Sequence, residues 1–106
     1  MITISVVIPC YNRERTIAEA VASAFAQTRS PSEVIVVDDA STDDSARLAE
    51  RGGARVVRMH ANRGSAAARN AGIQAASGDA IAWLDSDEYL EPNHLEIVAS
   101  LLHRYP

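Results

Sequence analysis

The sequence predicts an α/β protein: a doubly wound, mainly parallel sheet with alternating strands and helices. Three observations predict it. Short, β-branched, almost continuously apolar runs recur along the chain, stretches with helical apolar spacing separate them, and polar clusters follow most of the runs. Continuous apolar runs mark strands buried on both faces, and strands that alternate with helices through short connections imply parallel pairing by right-handed crossovers.

The first run, Ile4-Ser5-Val6-Val7-Ile8, is followed by Pro9, which cannot donate to a ladder and is expected to end the strand. From about Glu14 to Gln27 the apolar positions Ile17, Val21, Ala24 and Phe25 share a helical face, with Thr16 and Glu19 spaced as a capping box. Val34-Ile35-Val36-Val37 repeats the strand signal. Ser41 is placed as an N-cap for a helix from about Thr42 to Arg51, which Gly52-Gly53 stops. Arg55 to Met59 forms a shorter strand, and the alanine-rich stretch from Ser65 to Ala76 a third helix, with Ala66-Ala67-Ala68 as a face for close packing. Ala80 to Leu84 is the fourth strand. Pro92, suited to a first helical turn, opens a last helix whose Leu95, Val98, Ala99 and Leu102 lie on one side.

At 106 residues the chain has the length of a single domain, taken as 1–106, which is small for an enzyme with two substrates. A net charge of -4 with no arginine stripe argues against a nucleic-acid partner. The cations are all arginine, which suits bidentate phosphate contacts and is equally expected of a GC-rich genome. The lone Cys10 has no disulfide partner, and neither a signal-peptide pattern nor an apolar run of spanning length is present, so a reducing cytoplasmic setting is the expectation. His60, His94 and His103 lack metal-ligand spacing.

In a doubly wound, Rossmann-like sheet, ligands bind at the carboxyl ends of strands, near the switch in strand order. With the order 3-2-1-4, strand one lies between strands two and four, so the clusters Pro9-Cys10-Tyr11-Asn12, Asp38-Asp39 and Asp85-Ser86-Asp87 become neighbours. Asp85 and Asp87 are the candidate ligands of an oxygen-coordinated divalent cation, Mg2+ or Mn2+. Asp38 and Asp39 can accept from ribose hydroxyls or a pyrimidine N–H, and are also ordinary turn and cap residues. Tyr11 can cover a base. Asn12 and Asn62 suit turns, Gly64 allows backbone to approach a ligand, and Arg63 and Arg69 are candidates for phosphate or base contacts.

Taken together, Ser5 to Asn12, Glu33 to Asp43, Asn62-Arg63-Gly64 through Gly72, and Leu84-Asp85-Ser86-Asp87 resemble the motifs of family 2 glycosyltransferases, in order and spacing, across nearly the whole chain. The resemblance implies the N-terminal, nucleotide-sugar-binding half of a GT-A fold. It implies a donor, commonly a UDP-sugar, bound by Pro9, Tyr11, Asn12, Asp38, Asp39, Asn62, Gly64, Arg69, Asp85 and Ser86, with a divalent cation on Asp85 and Asp87. It also implies inverting transfer to a saccharide or lipid-linked acceptor; the cytoplasm, or for the full-length protein the cytoplasmic face of a membrane, is the expected location. No residue here matches the family's general base, which is expected beyond residue 106. Glu88 stands where many relatives carry a third aspartate, and this polypeptide is expected to bind donor without turning it over.

A second reading is a non-catalytic nucleotide-binding or association module, with a homodimer formed through an exposed sheet edge or truncated surface. A dinucleotide oxidoreductase fails at the first turn, where Pro9 to Asn12 replaces G-x-G-x-x-G. A phosphatase of the haloacid-dehalogenase type would carry its D-x-D after the first strand, not the fourth.

Overall fold

A computed structural model describes residues 1–105; Pro106 lies outside the described residues. Strands and helices alternate as β1 (Ile4–Cys10), α1 (Ile17–Phe25), β2 (Glu33–Asp38), α2 (Ser45–Arg51), β3 (Arg55–Arg58), α3 (Ser65–Ala75), β4 (Ala80–Trp83) and α4 (His94–Arg104). The sheet has the order β3-β2-β1-β4, and every pairing is parallel. The expected class and strand order are both present.

Successive side chains of a strand point to opposite faces, which makes two cores from one sheet. Ile4, Val6, Ile8 and Cys10 of β1, with Val34 and Val36, meet Ile17, Ala20, Val21 and Ala24 of α1, Ala49 of α2, and Leu95 and Ala99 of α4. Val7, Ile35 and Val37 face the other way, onto Ala68 of α3. That second layer is thin because α3 lies almost on the sheet. A Cβ added at Gly72 would stand 2.5 Å from Val7 Cγ1, so only glycine lets the helix come this close.

Five expectations need correction. β1 does not end at Pro9 but continues to Cys10. The Val7 carbonyl accepts from Leu84 N–H while the Cys10 carbonyl accepts from Asp39 N–H. The backbone of Pro9 therefore faces the β4 side, where β4 has already ended, and its missing N–H costs no ladder bond. Thr16 makes no capping hydrogen bond. Nor does Ser41 cap α2, whose N-cap is Asp44, three residues later. Phe25 is 45% exposed, turned off the face that buries its neighbours. Pro92 precedes α4 by two residues, and Asn93 is the N-cap.

Candidate functional site

The carboxyl ends of β1, β2 and β4 open onto one edge, and side-chain hydrogen bonds tie their loops together. After β1 the chain turns through Asn12, with φ 50°, and after β2 through Ala40, with φ 62°. A Cβ-bearing residue in this region costs on the order of 1 kcal/mol, more for alanine than for asparagine, so other contacts must hold it there. Those contacts are dense. Asn12 N–H donates to Ser41 Oγ (2.9 Å), and Asn12 Oδ1 accepts from Thr42 N–H (2.8 Å). Fully buried Ser45 accepts from Arg13 N–H (2.7 Å) and donates to Asp43 Oδ1 (2.5 Å). Burial alone would lift the Asp43 carboxyl; the bonds from the Ser45 hydroxyl and N–H and from Glu14 N–H outweigh it and hold its pKa below the usual range.

Asp38 and Asp39 stand side by side at the end of β2, 4% and 5% exposed, with different surroundings. Asp39 accepts from Arg63 N–H (3.0 Å) and Gly64 N–H (2.9 Å), one on each carboxylate oxygen. It thereby fixes the loop that leads into α3, where Gly64 has φ 90°. Asp38 Oδ2 accepts from Ser41 N–H (3.1 Å), but Asp38 Oδ1 is buried with no partner. A buried acceptor left open is costly, and a ligand N–H or O–H would relieve it.

Pro9, Cys10, Tyr11, Asp39, Ser65 and Ala68 line a cleft of about 130 Å³ beside these carboxylates. Tyr11 is half exposed there, with its ring available to a flat ligand. Burial pushes the Cys10 thiol up to about 11, so it stays protonated and is no nucleophile near neutrality. Asn62 is exposed next to the Asp39-held backbone. Arg69 lies further along α3, its guanidinium 6.0 Å from the Trp83 ring centroid, in a separate cavity of about 480 Å³ with Ala66, Asn70 and Ile73.

Beyond β4 the acidic loop is exposed. Asp85, Asp87 and Glu88 each offer a carboxylate oxygen, all within 4.8 Å of one another. A hydrogen bond with Asp85 and the negative charge of Asp85 and Asp87 raise the Glu88 pKa above its ordinary value. Crowded hard oxygen donors of one sign fit Mg2+ or Mn2+, which would neutralise them. Glu88 thus joins the pair expected as metal ligands. Ser86, between the two aspartates, is buried. Asp87 also lines a cavity of about 380 Å³ with Asn12, Arg13, Glu14, Arg15, Thr16 and Asp43, so elements that follow β1, β2 and β4 share one space.

Sequence reading passed over Thr16, Asp43 and Ser45 as site builders. Each is a small polar residue whose partner lies on another loop; the only available signal was a Ser/Thr/Asp-rich composition at both strand ends.

The sequence model described as Glycosyl transferase family 2 matches residues 5–106. An uncharacterised glycosyltransferase of Rickettsia conorii is 43% identical over 97 residues, covering 89% of this chain and 16% of that protein. Among solved structures, S. aureus TarS 1-349 in complex with UDP-GlcNAc superimposes with a TM-score of 0.89 at 31% identity, over 97% of this chain and 32% of that one. Glucosyl-3-phosphoglycerate synthase from Mycobacterium tuberculosis, in complex with Mn2+, UDP and glucosyl-3-phosphoglycerate, gives a TM-score of 0.73 at 33% identity, over 83% of this chain and 36% of that one. The chain therefore spans from 16% to 36% of the length of these relatives.

Proposed function

The chain belongs to glycosyltransferase family 2 and carries the GT-A arrangement of strands and helices, and from that premise we propose that it is the donor-binding part of an inverting glycosyltransferase. The observation that carries the proposal is a pairing across β1: an unpartnered buried carboxylate oxygen on Asp38 to one side, and a convergent set of three carboxylates after β4 to the other. A nucleoside diphosphate joins two such sites, because its base and ribose present donors and its phosphates share a cation.

In this reading Asp38 Oδ1 accepts from the base or ribose and the Tyr11 ring covers the base. Asp39 holds the Asn62-Arg63-Gly64 backbone close to the donor. Pro9 and Asn12 shape the pocket wall, and Arg69 stands at its outer side. Asp85 and Asp87, with Glu88, hold Mn2+ or Mg2+, which when bound would neutralise charge on the departing nucleoside diphosphate. Ser86 sets the spacing between them. UDP is the donor nucleotide we favour, supported by the UDP and UDP-GlcNAc complexes of the structural neighbours. Direct attack by a saccharide or lipid-linked acceptor would invert the anomeric centre. We place the base that takes the acceptor's proton beyond residue 106, where the resemblance to family 2 enzymes expects it. We place the reaction in the cytoplasm or at the cytoplasmic face of a membrane.

Calorimetric titration with UDP, GDP, dTDP and NAD, each with Mn2+ and with a chelator, tests this. UDP binding that disappears with the chelator is expected. Preference for NAD, or nucleotide binding indifferent to metal, would remove the assignment.

An association module is the second reading, favoured by the edge of β4, which among the described residues pairs only with β1, and by the exposed Trp83 and Ile73 beside it. A concentration-dependent dimer in sedimentation, lost in Trp83→Arg, would support it.

A further inference from the structure

We propose that Thr16 is a positioning residue for the divalent-cation site: its hydroxyl fixes the peptide plane that aims Asp87. This rests on the reading of the β4 loop as the donor's metal site. The hydroxyl of Thr16, immediately before α1, is free of the capping role its position suggests and instead donates to the Ser86 carbonyl at 2.8 Å, across 70 residues of sequence. That carbonyl belongs to the peptide joining Ser86 to Asp87.

The geometry of the loop gives this bond leverage. Glu88 N–H donates to the Asp85 carbonyl at 3.0 Å, closing a turn in which Ser86 and Asp87 are the central residues. The peptide between the central residues of a turn can flip, exchanging one turn type for another and demanding positive φ at the second central position. Among the described residues the non-glycine positive φ values are those of Asn12 and Ala40, so Asp87 is in the unflipped form. A flip would swing the Ser86 carbonyl away from Thr16 and redirect Asp87 from Asp85 and Glu88. Ser86 is 7% exposed, which anchors the middle of the turn while the flanking Asp85 and Asp87 stay in solvent. Thr16 reaches this turn from the segment that also carries Asn12 and Arg13, which are bonded to Ser41 and Thr42 of the β2 loop and to Ser45 at the start of α2. One hydroxyl therefore couples the metal loop to the rest of the site.

The test compares wild type, Thr16→Val and Thr16→Ser. Mn2+ uptake in saturating UDP is followed by the loss of the free-ion paramagnetic resonance signal, and uridine binding without metal by ligand-observed NMR. Thr16→Val is expected to weaken Mn2+ by about tenfold, the scale of one side-chain hydrogen bond, and to leave uridine affinity unchanged. Thr16→Ser keeps the donor and should restore Mn2+ affinity. Unchanged Mn2+ affinity in Thr16→Val would overturn the proposal while leaving the metal site itself standing. Equal loss of Mn2+ and uridine, not restored by serine, would make Thr16 a structural residue and also overturn it. A wild type that takes up no Mn2+ beside UDP would remove the metal site and this role with it.

Discussion

The loops after β1 and β2 and the loop after β4 hold the same kind of side chain in opposite ways. Asp38, Asp39 and Asp43 are buried or half-buried and spend their oxygens on backbone amides, which builds a rigid wall with one acceptor left open. Asp85, Asp87 and Glu88 are exposed, crowd one another, and depend on Thr16 and a single turn for their placement. The difference teaches how to tell carboxylates that make a scaffold from carboxylates that await a cation. The first are neutralised by the protein's own amides. The second are left in mutual repulsion, which is tolerable only in water or around a metal.

The largest effect should come from breaking the scaffold side. Asp39→Asn leaves one of the Arg63 and Gly64 amides facing an NH2 group, and should cost roughly 2–3 kcal/mol. For a domain of this size that lowers the thermal midpoint on the order of ten degrees, measurable by circular dichroism. An unchanged midpoint would mean that the loop before α3 does not hang on Asp39.

Ser45→Ala comes next. It deprives Arg13 N–H and Asp43 of their shared partner, at roughly 1–2 kcal/mol, and it should alter the response to acid. The Asp43 pKa is held low in the folded state, so its contribution is present above the ordinary aspartate value of about 3.9 and is lost as pH falls through the folded value. Urea midpoints measured from pH 6 downward should therefore fall less steeply below about pH 4 in Ser45→Ala than in wild type. Part of the slope will remain, because the Ser5 hydroxyl and Ser77 N–H also hold Glu33 below its usual range.

The smallest effect belongs to the metal side. The Glu88 pKa is raised, so its contribution to stability is full below the ordinary glutamate value and is lost as pH rises through the folded one. Near neutrality without metal, Glu88→Gln should leave the thermal midpoint level or slightly higher, whereas Mn2+ should protect it less than wild type. A clear drop in the metal-free midpoint would show that Glu88 is scaffold after all, and would erase the contrast.

Much of the fold was legible because it rests on local pattern. Val34 to Val37 and Ala80 to Leu84 announce strands by composition, and the order β3-β2-β1-β4 follows from short crossovers and one reversal. The location of the site was legible for the same reason, since strand ends on either side of β1 must converge. Its internal assignments were not. Nothing in Asp38-Asp39 tells which carboxylate meets the Arg63 and Gly64 amides and which keeps an open oxygen, because those amides are contributed 24 and 25 residues later. Thr16 and Glu19 have the spacing of a capping box, yet the hydroxyl goes to Ser86 because tertiary structure offers a better-placed carbonyl. Pro9 reads as a strand end until the neighbouring strand is seen to stop first.

Thermal unfolding of wild type and Asp87→Asn with UDP, in Mn2+ and in chelator, tests the central claim most directly. Ligand at about 100 times its dissociation constant adds roughly 2.7 kcal/mol, a shift on the order of ten degrees. The account predicts that shift for wild type with UDP and Mn2+ together, little with either alone, and none for Asp87→Asn. An equal UDP shift in chelator, or in Asp87→Asn, would contradict it, because the nucleotide would then be held without the acidic loop after β4.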